Sequence, residues 1–201
     1  MLNKRNVKIG IAPIGWTNDG MPDLGKENTF EQCISEMALA GYDGCEIGNK
    51  YPKDKEVLNL GRLTICNQWF SAFLISRPFE ETADAFTRQL DFLKYEGANV
   101  IGVSEQSYSI QGKKQPIFEG KHKMNDREWN LLCDGLNRLG KIAKDKGMKL
   151  TFHHHMGTVV QDEDEIDRLM SNTDPDLVYL LFDTGHLSFD GIDPLKILNT
   201  Y

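Results

Sequence analysis

Leu150-Thr151-Phe152-His153-His154-His155-Met156-Gly157-Thr158 is a short apolar run that closes on three consecutive imidazoles. A second stretch, Leu180-Leu181-Phe182-Asp183-Thr184-Gly185-His186, has the same design: an apolar run, then a carboxylate, then an imidazole. Together they hold four of the five histidines in the chain. Both runs have the length of a buried strand, so both place chemistry at a strand end. Histidine is the commonest metal ligand and the usual proton carrier near neutral pH, so two such endings point to one site. Side chains alternate along a strand, which puts His153 and His155 on one face and turns His154 toward the helix layer or the rim. The competing reading is a set of core or rim histidines with no ligand.

Further short apolar runs read as strands at Val7 to Ile11, Gly44 to Ile47, Trp69 to Ile75, Val100 to Val103 and Leu177 to Phe182. Between them lie helical patterns such as Phe79, Ala83, Phe86, Leu90 and Leu93, or Trp129, Leu132, Cys133, Leu136 and Leu139. Asn28 with Glu31 and Asn125 with Glu128 have capping-box spacing, Gly41, Gly97 and Gly147 follow helices, and Asp193-Pro194 opens another. The acidic run Asp162 to Glu165 reads as a solvated helix start. Alternating strands and helices imply a parallel sheet with right-handed crossovers, closed into a barrel or left open. No G-x-G-x-x-G follows the first strand, and the polar residues gather at several strand ends, which favours the barrel.

The fold class expected is therefore α/β, a TIM (β/α)8-type barrel, with residues 1–201 forming a single, partial barrel domain. A whole barrel has eight strands and typically ~250 residues, so about six β-α units read as a truncated one. Exposed parallel edges invite pairing, so a homo-oligomeric surface or an artificial boundary is expected. The irregular, lysine-rich segment from Gln106 to Met124 reads as a loop over the strand ends.

Composition narrows the partners. A formal net charge of −7 disfavours nucleic acid and anionic membranes, and no segment approaches the length needed to span a bilayer. Four scattered cysteines without a CxxC suggest reduced thiols and a cytoplasmic protein.

An aspartate after an apolar run, as at Asp183, is a common metal ligand and also a common helix or turn cap; combined with His153 and His155 it makes a site whose mixed nitrogen and oxygen donors suit Mn²⁺, Co²⁺ or Zn²⁺ better than Mg²⁺ or Ca²⁺. Gly185 lets the chain turn so that His186 returns to the same mouth. Other strand ends offer Trp16 as an apolar wall or a core cap, Glu46 as an acid or base or a paired carboxylate, Lys50 as its partner or an electrophile, and Glu105 as a polar contact.

With IAPIGWTND, GKENTF, VSEQSYSIQG, LCDGLNRLGKIA, LTFHHHMGT, DRLMSNTDPDLV and LLFDTGH in view, the chain resembles the sugar isomerase-like TIM-barrel superfamily along nearly its whole length. Within it, the similarity is to the branch that removes water from 2-keto-myo-inositol in inositol catabolism. The resemblance implies a cytoplasmic lyase acting on a small cyclic polyol ketone with Mn²⁺ or Co²⁺. It implies that Asp183 holds the metal and that His186 contacts substrate; Trp16, Lys50 and Glu105 are the further candidate substrate contacts, and His153, His155 or Glu46 the candidate proton-transfer groups. The superfamily carries Glu where this chain has His153. It takes two further ligands from a seventh and an eighth strand, so weak metal binding and little activity are expected of this segment alone. A sugar isomerase or epimerase on the same barrel and a non-catalytic polyol-binding fragment are the alternatives; a metal-dependent endonuclease would need a basic groove that this sequence lacks.

Overall fold

The apolar runs form short parallel strands. The computed structural model describes residues 7–54 and 62–201. These fall into two units, the described part of Met1–Gln68 with Phe92–Asn99, and Trp69–Asp91 with Val100–Tyr201.

The first unit contains β1 (Gly10–Ile11), a 3-10 turn at Pro13–Gly15, α1 (Phe30–Leu39), β2 (Gly44–Glu46) and β3 (Thr64–Asn67). Its sheet is parallel in the order β1-β2-β3, with Gly10 opposite Gly44 and Gly44 opposite Thr64. The first strand is shorter than its apolar run, because the Ile9 N–H donates to the Asp43 carboxylate (2.8 Å) and the Ile9 side chain stays exposed. The start of α1 also differs from expectation. Thr29, still extended, accepts from the Gln32 N–H as the N-cap, while the Asn28 amide donates to the Trp16 carbonyl at 2.7 Å. Strand β3 was not anticipated, since Thr64-Ile65-Cys66-Asn67 has only two apolar residues between polar ones.

The second unit holds β4 (Trp69–Ala72), β5 (Val100–Glu105), β6 (Lys149–Phe152) and β7 (Val178–Leu180), parallel and in that order. Helix α2 (Phe79–Glu96) lies between β4 and β5 in the chain, α3 (Asp126–Asp145) between β5 and β6, and α4 (Glu163–Ser171) between β6 and β7. Two short helices, α5 (Thr184–Phe189) and α6 (Pro194–Thr200), follow. Ile101, Val103 and Leu150 are fully buried, as are Leu132, Leu136 and Leu139 on one face of α3, each contributing about 1.5–3 kcal/mol. β4 stops three residues before its apolar run does, because the Ser76 and Arg77 N–H groups turn back to the Phe73 carbonyl. The Asn125/Glu128 capping box forms, and a second one, Asp162/Glu165, explains the acidic run at the start of α4.

Two glycines of α3 are fixed by close approach. A Cβ at Gly140 would lie 2.4 Å from the Leu177 carbonyl oxygen, whereas one at Gly135 would meet the tip of the Leu74 side chain at 2.8 Å. The segment 106–124 is irregular, as expected. It is held by the Ile110 N–H on the Gly157 carbonyl (2.9 Å), an ion pair between Lys121 and Glu165, and the Phe118 ring stacked on Phe189.

Glu105 ends β5 with its carboxylate buried. One oxygen accepts from the Leu74 N–H (2.8 Å) and the other from the Ser107 N–H (2.9 Å), so it clasps the turns after β4 and β5. Burial pushes its carboxyl up to about 7, against the pull of those donors.

Gly140→Ala should lower the melting temperature in spite of alanine's higher helix propensity. The backbone oxygen of Leu177 cannot yield, and about 1–3 kcal/mol of overpacking outweighs about 1 kcal/mol of propensity; Gly135→Ala should cost less, and thermal melts of both variants compare them. A carboxyl whose folded value lies above its unfolded 4.5 binds its proton more tightly when folded. Its ionisation therefore removes stability as pH rises from about 4.5 through 7, on the order of 3 kcal/mol. Urea unfolding of the Glu105→Gln variant should lack that part of the pH dependence, and parallel pH profiles for the two proteins would contradict the assignment.

Candidate metal centre

Strand β6 pairs with β5 on one side and β7 on the other, with Phe152 opposite both Val103 and Leu180. The ladder runs on past the strand, as the His153 N–H donates to the Val103 carbonyl (2.7 Å) and the Leu181 N–H to the Phe152 carbonyl (2.8 Å). This register sets the residues after Phe152 beside those after Leu180. His153, Asp183 and His186 converge, with ligand atoms all within 4.8 Å of one another.

Asp183 has two tasks there. As the N-cap of α5, its Oδ1 accepts from the His186 N–H (2.8 Å), which orients the first turn of the helix and brings His186 back. Its Oδ2 lies 3.5 Å from His153 Nε2, an ion-pair contact longer than a well-formed hydrogen bond. The imidazole of His153 holds the Asp183 carboxyl well below the usual carboxylate range, and the His186 N–H adds to this against the cost of burial.

The alternation read from the sequence is present. His153 and His155 stand with ring centroids 5.4 Å apart, and His155 lies on His186 at 3.8 Å. His154 is fully buried, its ring edge-on to His153 and His186 at 6.3 and 6.2 Å and both ring nitrogens without a hydrogen-bond partner. Burial pushes His154 and His155 down to about 4 and lowers His186 as well, so these rings are neutral at pH 7.

His153 Nε2 and His186 Nδ1 are buried with no hydrogen-bond partner. Buried polar atoms are rarely left so, and two lone-pair donors beside an ionised carboxylate have the composition of a divalent cation site. Bonds of ~2.0–2.2 Å to one ion would draw these atoms together by modest side-chain rotation. The residues fit a metal ion.

Two neighbours were not singled out from the sequence. The Trp69 ring meets His153 and His155 edge-on at 5.3 and 5.5 Å, its Nε1 donating to Ser71 Oγ (2.9 Å). The spacing of Trp69 and Ser71, two apart on one strand face, was the available signal. Gln111 reaches His155 from the loop after β5, with its amide Nε2 2.7 Å from Nδ1. No local pattern marks it.

The remaining residues read from the sequence have partners in the fold. In the first unit, Glu46 Oε1 accepts from the Asn67 amide (2.8 Å) and Trp16 Nε1 donates to Glu36 (2.6 Å). Lys50 is not the structural partner of Glu46. Its ammonium donates to the carbonyls of Gly25, Lys26 and Asn28 at 3.1, 2.8 and 3.0 Å, which engages all three hydrogens. In the second unit, Glu105 has the backbone partners described above.

Comparison with known proteins sets these observations in a family. Residues 34–198 match the family model described as xylose isomerase-like TIM barrel. An inosose dehydratase from Clostridium beijerinckii is 62% identical over 206 aligned positions, which cover all of this chain and 69% of that protein. Among solved structures, a probable 3-DHS dehydratase from Bacillus anthracis superposes with a TM-score of 0.73 at 15% identity, covering 96% of this chain and 69% of that one. A protein solved with a bound zinc atom gives 0.66 at 16%, covering 93% and 66%. These two likenesses show the fold, and the first relative shows more: the chain belongs to the xylose isomerase-like TIM-barrel family and, within it, to the inosose dehydratases.

Proposed function

We propose that this chain carries the chemistry of a dehydratase that removes water from 2-keto-myo-inositol (scyllo-inosose), giving a trihydroxycyclohexane-dione. The observation that carries this reading is the 62% identity with an inosose dehydratase across every part of the chain. The neutral imidazoles and ionised carboxylate at the ends of β6 and β7 support it. Among the described residues no helix is long and apolar enough to cross a membrane, and four free thiols accord with a reducing cytoplasm.

Asp183, His153 and His186 would hold a divalent ion, with Mn²⁺ or Co²⁺ favoured by their mixed oxygen and nitrogen donors. Such an ion, when bound, lowers the cost of negative charge on a ketone oxygen. The chain's own groups supply the rest. Dehydration beside a ketone needs a base for the proton on the adjacent carbon and an acid for the departing hydroxyl. His155, kept neutral by burial, is in the state required of the base, and Nε2 is the ring nitrogen away from its Nδ1 anchors. His186, in ring contact with His155, contacts a substrate hydroxyl. Trp69 supplies an apolar edge that limits water around the imidazoles.

Titration calorimetry with Mn²⁺ should show one site in the chain. Asp183→Asn should weaken it by more than the ~10–100-fold that loss of an outer partner costs, and unchanged affinity would contradict the ligand set. Incubation with 2-keto-myo-inositol and Mn²⁺ should give a product lighter by one water, at a rate that falls to background in the Asp183→Asn variant. A product of unchanged mass would place the chain with isomerases instead.

A further inference from the structure

The base assigned above is held at one ring nitrogen by two groups. His155 Nδ1 lies 2.9 Å from the carbonyl oxygen of Met156 and 2.7 Å from the amide nitrogen Nε2 of Gln111. A carbonyl oxygen only accepts, so the Met156 contact is a hydrogen bond only when Nδ1 carries the hydrogen. The Gln111 amide stands with Nε2 toward Nδ1; turned over, which exchanges two ends of nearly the same shape, it presents its oxygen to the same hydrogen. With Nε2 there, Nδ1 would need its lone pair and the Met156 carbonyl would face it without a hydrogen between them. The first arrangement satisfies both contacts and the second only one.

The loop brings Gln111 to this place with little freedom. The Ile110 side chain is buried, its N–H donates to the Gly157 carbonyl at 2.9 Å, and the Gln111 N–H donates to Ser109 Oγ at 3.2 Å. Gly157, at φ +77, follows Met156 directly and leaves only 3.2 Å between the Ile110 side chain and where a Cβ would stand. The turn that carries His155 and the turn that carries Gln111 are thus packed as one piece.

We propose that Gln111 is a positioning residue for His155: its amide oxygen, with the Met156 carbonyl, fixes the ring in the Nδ1–H form and leaves the lone pair on Nε2. This rests on the reading of His155 as the proton-transfer group, but the arrangement is measurable without any reaction. A ring nitrogen that must take a proton from carbon has to hold a lone pair beforehand, so a base that sampled both tautomers would be competent only part of the time.

The test is long-range proton–nitrogen correlation NMR on the metal-free chain with ring-labelled histidine, using His155→Asn to identify the His155 signals. The chain should show His155 in the Nδ1–H form. Gln111→Leu should lose it in favour of a mixture or the Nε2–H form, with the His153 and His186 signals unmoved. Gln111→Glu, which can only accept, should restore the Nδ1–H form. An Nε2–H ring in the unaltered chain, or an unchanged Nδ1–H ring in Gln111→Leu, overturns the proposal. If circular dichroism shows that Gln111→Leu does not fold, Gln111→Glu decides, since an Nε2–H ring there is equally fatal. Failure of the dehydratase reading would appear in the product assay alone and leave these spectra as they are.

Discussion

Parallel pairing of β6 with β7, in the register that sets Phe152 opposite Leu180, is the constraint on which the rest of the site depends. A slip of one residue would turn every side chain on the strand to the other face. It would exchange His154 for His153 and His155 at the cluster and carry Asp183 away from His153. The apolar residues Leu150, Phe152 and Val178, all buried, hold that register, because a slip would expose them. Packing that looks purely structural thus sets the chemistry at the strand ends.

The cluster then sits in an electrostatic balance. Burial opposes charge on the imidazoles, while Asp183 is kept ionised by His153 and by the N–H at the start of the next helix. One anion beside several imidazoles, with His153 Nε2 and His186 Nδ1 buried and without a hydrogen-bond partner, leaves the site short of positive charge. Residues elsewhere at strand ends have the opposite character: Glu105 and Lys50 meet their hydrogen-bonding needs within the backbone. That contrast separates groups that serve the fold from groups left able to serve a ligand.

Much of this was legible in the residues themselves. Two-residue alternation put His153 and His155 together and His154 apart, and an apolar run ending in aspartate put Asp183 at a strand end. What was not legible needed three-dimensional proximity. Lys50 finds carbonyls more than twenty residues back in the chain, and Gln111 finds His155 forty-four residues on. Neither spacing has a local period to betray it. Strand β3 escaped because its four residues carry only two apolar side chains, and its pairing with β2 shows only in the sheet. Asn28 and Glu31 had the spacing of a capping box, yet Asn28 answers to the Trp16 carbonyl instead, a case where a tertiary partner displaced a local one.

Register and burial bring two imidazoles and one carboxylate within reach of a single cation, and X-ray absorption at the metal edge of the zinc-loaded chain reads that arrangement out. A first shell of nitrogen and oxygen with the outer scattering of two imidazoles is expected, reduced to one in His153→Ala. A shell without imidazole scattering, or one that His153→Ala leaves unchanged, would contradict it.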